Sequence, residues 1–174
     1  WFGGSGVRLQ GVYNSVIAHT MIQGNVYGVY IGGSSYSNSI IGNTMISNLG
    51  SNIALESAVS TVVSDNKTIG GGTGIYVGSG NNNTIMGNSV RTPTAFGIRL
   101  TNATSANTVT GNTVINSGGA TANNAIYFDE SDSNTITGNS ITDTSATTTN
   151  YAINISNNTS ATNYLADNTL GGGT

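Results

Sequence analysis

Tyr and Arg recur at one position of a repeated motif, and this is the first sign of chemistry in the sequence. The position is filled by Arg8, Tyr30, Ala54, Tyr76, Arg99, Tyr127 and Asn154, each set between two apolar residues. Five of these seven are Tyr or Arg, in a chain that has only eight Tyr. A Tyr ring can lie against the apolar face of a sugar while its hydroxyl bonds the sugar hydroxyls. Arg99 is one motif copy from both Tyr76 and Tyr127, within reach of cation–π contact. Two residues after each stripe position come Gln10, Gly32, Glu56, Gly78, Thr101, Asp129 and Ser156, on the same face by period-two alternation. Glu56 and Asp129 therefore flank the stripe. The expected carbohydrate-binding set is Tyr30, Glu56, Tyr76, Arg99, Tyr127 and Asp129. Two plainer readings compete with it. Tyr favours solvent-facing strand positions, and Tyr and Arg are also common at protein interfaces.

Hydrolytic chemistry has thinner support. Glycosidases hold two carboxyl groups roughly 5–9.5 Å apart. Glu56 and Asp129 are three motif copies apart, roughly 14 Å at the spacing of stacked strands. The one dense acidic run is Asp129-Glu130-Ser131-Asp132, so Asp129, Glu130 and Asp132 are the candidate catalytic residues. Asp129 and Asp132 could meet at a turn or hold calcium weakly, but an acidic turn in water needs no such explanation. His19 is the only histidine and Cys is absent. No metal-ligand cluster or catalytic triad can be assembled around that imidazole, and no cofactor is expected.

The composition narrows the partners. Only four residues are basic (Arg8, Lys67, Arg91 and Arg99), the net charge is −3, and charged residues make up 6% of the chain. No basic stripe exists to neutralise phosphates, so nucleic acid is not an expected partner. No run of about 18 apolar residues is present, so no membrane-inserting helix is expected. Without Cys there is no disulfide framework to read.

What must position the stripe is a two-part repeat. Its first part is a small residue followed by apolar-x-apolar, starting at Gly6, Gly28, Asn52, Gly74, Gly97, Ala125 and Ala152. Its second part reads Asn-Ser/Thr-apolar-x-Gly-Asn-Ser/Thr-apolar, clearest from Asn38, Asn83, Asn107 and Asn134 and weaker from Asn14, Thr61 and Asn163. Apolar-x-apolar triplets mean short strands, and no segment keeps helical spacing for three turns. One unit cannot bury its own apolar side, whereas stacked copies share a continuous core. The fold class is therefore all-β: a right-handed parallel β-helix, a single-stranded solenoid of about seven coils of 22–29 residues.

Four inward columns are expected. The first runs Val7, Val29, Ile53, Ile75, Ile98, Ile126, Ile153, and the second Leu9, Ile31, Leu55, Val77, Leu100, Phe128, Ile155. The third runs Val16, Ile40, Val63, Ile85, Val109, Ile136, Leu165, and the fourth Met21, Met45, Thr68, Val90, Val114, Ile141, Leu170. A polar column of His19, Asn43, Asn66, Asn88, Asn112, Asn139 and Asn168 falls at a turn, where stacked amides can bond one another and the backbone as an asparagine ladder.

This repeat resembles the parallel β-helix repeat of the pectate lyase superfamily, and is similar in flavour to NosD-type periplasmic repeat proteins and β-helical phage tailspikes. The likeness covers nearly the whole chain and is specific for fold rather than activity. It implies a carbohydrate-recognising β-helix, located extracellularly, at a cell surface or on a virion, with bacterial surface polysaccharide as partner. Tailspike likeness also implies a homotrimer. One alternative is a polysaccharide lyase or glycoside hydrolase whose catalytic residues lie partly outside this segment. Another is a structural solenoid forming a filament, stalk or assembly interface. The copper chemistry that NosD-type likeness suggests finds no ligand cluster here.

Residues 1–174 read as one β-helix domain and as a section of a longer protein. Leu170-Gly-Gly-Gly-Thr174 matches the lead-in Ile69-Gly-Gly-Gly-Thr73 of an internal coil and then stops. End-to-end stacking would satisfy the same open coil, while Trp1 and Phe2 could cover the other end. The longer loops at Asn116–Asn124 and Thr142–Tyr151 could wall the Tyr76–Tyr127 end of the stripe into a groove.

Overall fold

A computed structural model describes residues 2–102, 104–115, 117, 124–143, 151–156 and 162–172. Among these residues the regular structure is entirely β, in three parallel sheets of seven strands each. The first sheet holds Phe2–Gln10, Asn25–Gly32, Ser51–Glu56, Thr73–Gly78, Ile98–Thr101, Ile126–Asp129 and Ile153–Ser156. The second runs from Val16–Ala18 through Thr84–Met86 to Tyr164–Ala166, and the third from Met21–Gln23 through Ser89–Arg91 to Thr169–Gly172. Each coil gives one strand to each sheet, so the chain winds as a right-handed parallel β-helix of seven coils joined by six steps.

Period-two alternation puts the apolar columns inside. Val29, Ile31, Ile53, Leu55, Ile75, Val77, Ile98, Leu100, Ile126 and Phe128 are fully buried along the first sheet, as are Ile40, Val63, Ile85, Val109 and Ile136 along the second. Met45, Val90 and Val114 line the third sheet, and all of these belong to one core. Residues of matching type lie directly over one another: Ile75 pairs with Ile53 and Ile98, and Ile85 with Val63 and Val109. Such stacking lets β-branched side chains nest on a pleated surface.

The first coil departs from the expected columns. Val16 pairs with Ser39 and Met21 with Thr44, so Ile17 and Ile22 are the residues level with Ile40 and Met45. Val16 and Met21 are 66% and 68% exposed, against 9% and 7% for Ile17 and Ile22. Both positions are apolar pairs, Val16-Ile17 and Met21-Ile22, so alternation alone could not choose between neighbours; backbone pairing does. The same one-residue slip moves His19 out of the polar column. The backbone N–H of Thr20, not of His19, donates to Asn43 Oδ1 at 2.9 Å. His19 instead has φ +53°, matching the turn site held by Gly42 in the next coil. Likewise Ser15, not Asn14, donates its N–H to Asn38 Oδ1.

Buried asparagines close two of the corners. From Asn43 through Asn66, Asn88, Asn112 and Asn139, each amide Nδ2 donates to Oδ1 of the asparagine one coil on, at 2.9–3.0 Å. The backbone N–H of each donates to that same oxygen. A second set runs through Asn83, Asn107, Asn134 and Asn163 with the same geometry. Asp65 and Asp167 take the left-handed turn site preceding the first set, as their tolerance of positive φ allows. Most of the two long loops expected to wall the stripe, and the cover expected from the Trp1 and Phe2 side chains, lie outside the described residues.

Candidate functional site

The outward face of the first sheet carries the stripe in register. Arg8 pairs with Tyr30, Tyr30 with Ala54, Ala54 with Tyr76, Tyr76 with Arg99, Arg99 with Tyr127, and Tyr127 with Asn154. Ala54 is wholly buried yet stands outside the main core, in register between Tyr30 and Tyr76. The outward layer is thus dense enough to cover a methyl group. Arg8 is exposed, and Tyr30, Tyr76, Arg99 and Tyr127 are half-buried.

Around Arg99 the stripe becomes an aromatic cradle. The guanidinium carbon lies 5.9 Å from the Tyr76 ring centre, 5.8 Å from that of Tyr127 and 4.9 Å from that of Phe96. Phe96 and Tyr127 stack at 5.0 Å with their planes 13° apart. Phe96 was not among the residues singled out from the sequence. It lies in an irregular segment before Gly97, and it meets Arg99 of its own coil and Tyr127 of the next. Arg99 Nε is buried without a hydrogen-bond partner.

The flanking acids are placed as expected but act separately. Glu56 and Gly78 are paired in register, as are Gly78 and Thr101. The bare Gly78 leaves room for the Glu56 carboxylate and the Tyr76 hydroxyl, which would both collide with any added Cβ there. Tyr76 donates a hydrogen bond to Glu56. Burial raises the Glu56 carboxyl above its ordinary range, with the Tyr76 bond pulling the other way. Burial and the nearby Glu56 charge raise the Tyr76 phenol, partly opposed by Arg99. Tyr76 is therefore a neutral donor across the physiological range. Asp129 stands three coils away, where Ser156 Oγ donates to its Oδ1 at 3.4 Å and meets the Tyr127 hydroxyl at 2.8 Å.

The acidic run Asp129-Glu130-Ser131-Asp132 passes through a turn. Ser131 turns inward, its Oγ donating to the Asp129 carbonyl and meeting Thr104 Oγ1. Glu130 takes a left-handed turn conformation, and Asp132 pairs by its backbone with Ser105 in the coil below. Among the described residues no group of three His, Cys, Asp or Glu could hold a metal ion.

A second cluster lies at the start of the stripe. Arg8 sits 5.1 Å over the Tyr30 ring, and Tyr27 leans against Tyr30 at 5.6 Å. Together with Gly4, Ser5 and Val26 these side chains line a cleft of about 340 Å³. Tyr27 was missed from the sequence because it precedes the apolar-x-apolar triplet. It is in register with Ser5 and with the buried Ser51.

Three stacked sheets, an inward apolar column on each and an outward aromatic stripe define a right-handed parallel β-helix repeat protein. The sequence signature of the family described as periplasmic copper-binding protein (NosD) matches residues 2–171, and the chain belongs to that family. Among solved structures, it is similar to the A-module of the mannuronan C-5 epimerase AlgE4 from Azotobacter vinelandii. That match has a TM-score of 0.74 at 16% identity, covering 97% of this chain and 50% of the module. It is also similar to tailspike protein 2 of the Escherichia coli O157:H7 bacteriophage CAB120, with a TM-score of 0.59 at 16% identity over 91% of this chain and 27% of the tailspike. The chain thus spans about half the epimerase module and about a quarter of the tailspike. No curated protein sequence matches it.

The family description names copper, and the described residues do not fit that ion. His19 is the only imidazole, Cys is absent, and Met45 is sealed in the core. The other two methionines, Met21 and Met86, are exposed on different sheets. Soft, convergent nitrogen and sulfur ligands are what copper selects, and no such set forms here.

Proposed function

We propose that the first-sheet stripe is a polysaccharide-binding face, and that the chain works outside the cytoplasm, in the periplasm or at an exposed surface, against bacterial surface polysaccharide. The observation that carries this is the register of Tyr30, Tyr76, Arg99 and Tyr127 on one outward face, with Glu56 and Asp129 beside it. Rings spaced by two coils offer alternate sugars a stacking surface, while phenol, carboxylate and guanidinium groups satisfy their hydroxyls. The long family description points to the periplasm, and both structural neighbours support a carbohydrate context, one being named for a mannuronan epimerase and the other for a phage tailspike. A tailspike-like role would add virion attachment and a homotrimer.

Binding, rather than cleavage, is the reading favoured by the acids. Glu56 and Asp129 are separated by three coils, roughly 14 Å, and each is engaged by a different hydroxyl. If catalysis occurs on this scaffold, its residues come partly from outside this segment.

The test is a glycan array probed with the native chain and with the Tyr76→Ala/Tyr127→Ala variant. Loss of both rings is expected to weaken binding by roughly five- to 150-fold, since stacked aromatic contacts contribute about 0.5–1.5 kcal/mol each beyond their buried area. Circular dichroism should stay unchanged because neither side chain belongs to the core. Equal binding by both proteins would remove the stripe from recognition and leave it as an interface between chains.

A further inference from the structure

The stripe has two cationic centres, and their separation is fixed by the coil. At one end Arg8, Tyr27 and Tyr30 line the open cleft. Four register steps away, Arg99 lies between Tyr76, Phe96 and Tyr127. Four steps of strand spacing amount to roughly 19 Å.

Neither guanidinium is neutralised by an acid among the described residues. Arg8 donates to the uncharged amide of Gln10 at 2.7 Å. Arg99 makes no ion pair among the described residues, and its Nε is buried with no acceptor. No hydrogen bond is made by any nitrogen of that guanidinium among the described residues, so its donors remain to be satisfied by an incoming acceptor. Both arginines lie against ring faces, which hold the planar fork in a fixed plane. The ligand group that matches a planar two-toothed donor is a carboxylate. The nearest acids do not compete for this role, because Glu56 accepts from Tyr76 and Asp129 accepts from Ser156.

We infer that the stripe, if it binds polysaccharide as proposed above, selects an acidic one, with carboxylate-bearing sugars read simultaneously by Arg8 and Arg99. A sugar residue in an extended chain advances by close to one coil, so two carboxylates four residues apart match the two centres. The glycan then runs along the solenoid axis, across the strands. Occupying the second centre is an intramolecular event once the first is filled, which raises overall affinity without any new type of contact. Short oligomers reach one centre only.

The experiment is calorimetric titration with oligogalacturonates of three and six residues, and with the same hexamer fully methyl-esterified so that its charge is removed and its length kept. The hexamer is expected to bind at least about tenfold tighter than the trimer, and esterification is expected to abolish that advantage. Arg99→Gln and, separately, Arg8→Gln should each bring the hexamer down to trimer affinity. The esterified arm needs no variant and so stands even if a substitution disturbs folding. Equal affinity of free and esterified hexamers would overturn the acidic assignment while leaving the polysaccharide-binding face intact. A hexamer advantage that survives both Arg substitutions would overturn the two-centre geometry. No binding of any oligomer, charged or neutral, together with a silent glycan array, would remove the underlying binding face and this inference with it.

Discussion

Replacing Asn88 with leucine is expected to cost about 3–5 kcal/mol of stability, although the two side chains are close in size. Asn88 is buried in the middle coil and serves the coils on both sides. Its Nδ2 donates to Asn112 Oδ1 at 3.0 Å, to the Val63 carbonyl at 2.9 Å and to the Met86 carbonyl at 3.1 Å. Its Oδ1 accepts from the backbone N–H and from Nδ2 of Asn66, both at 3.0 Å. Leucine can make none of these contacts. It would strand the Asn66 donors and the Val63 carbonyl in a place water does not reach, and each orphan carries a desolvation cost of about 1–3 kcal/mol. Urea denaturation of the variant against the native chain measures the loss. Lys67→Ala, on the exposed face of the same corner, should change stability by less than about 0.5 kcal/mol. A leucine variant as stable as the native chain would mean that the corner is held by strand pairing alone.

Phe128→Ala is expected to cost about 3–5 kcal/mol by leaving a cavity. Phe128 is among the largest fully buried side chains and sits in register between Leu100 and Ile155. Its column is otherwise aliphatic, so the ring fills a width that no neighbouring coil can close. In a solenoid each coil contacts only its neighbours, so the damage should be local. Hydrogen exchange should accelerate at Ile98–Thr101, Ile126–Asp129 and Ile153–Ser156 and remain slow at Asn25–Gly32. Tyr127 precedes the lost ring, so Phe96–Tyr127 stacking and the cradle around Arg99 should loosen with it. Uniform acceleration over all coils would show instead that the solenoid opens as a single unit.

The parts of this architecture readable from sequence are those where the period is unambiguous. Seven apolar-x-apolar triplets place their middle residue outside and the flanking pair inside, so the stripe and the first two core columns follow from alternation. The first coil escaped because Val16-Ile17 and Met21-Ile22 are apolar at both candidate positions. There the pairing of Val16 with Ser39 decides, and it carries His19 to a turn site that the other coils fill with Gly or Asp. Phe96 and Tyr27 escaped for a different reason. Both precede the triplets, where alternation does not say which way a side chain turns; Tyr27 meets Tyr30 of its own strand, and Phe96 meets Arg99 of its own coil and Tyr127 of the next. The hydroxyl linking Tyr76 to Glu56 likewise depends on Gly78 being bare, a relation between successive coils rather than between neighbours in sequence.

The same relation separates fold from activity. The Asn columns and aliphatic columns build the scaffold. The stripe residues vary from coil to coil, Arg8 and Tyr30 giving way to Ala54 and later to Asn154, and any specificity resides in that variation.

The most direct test of the binding face is hydroxyl-radical footprinting of the tyrosines with and without the best-bound glycan. Tyr30, Tyr76 and Tyr127 should become protected, while Tyr13, Tyr36 and Tyr164, which are exposed elsewhere on the coil at 59%, 47% and 62%, should react as before. Protection of Tyr13 and Tyr36 with the stripe unchanged would place the glycan on another face and contradict the account.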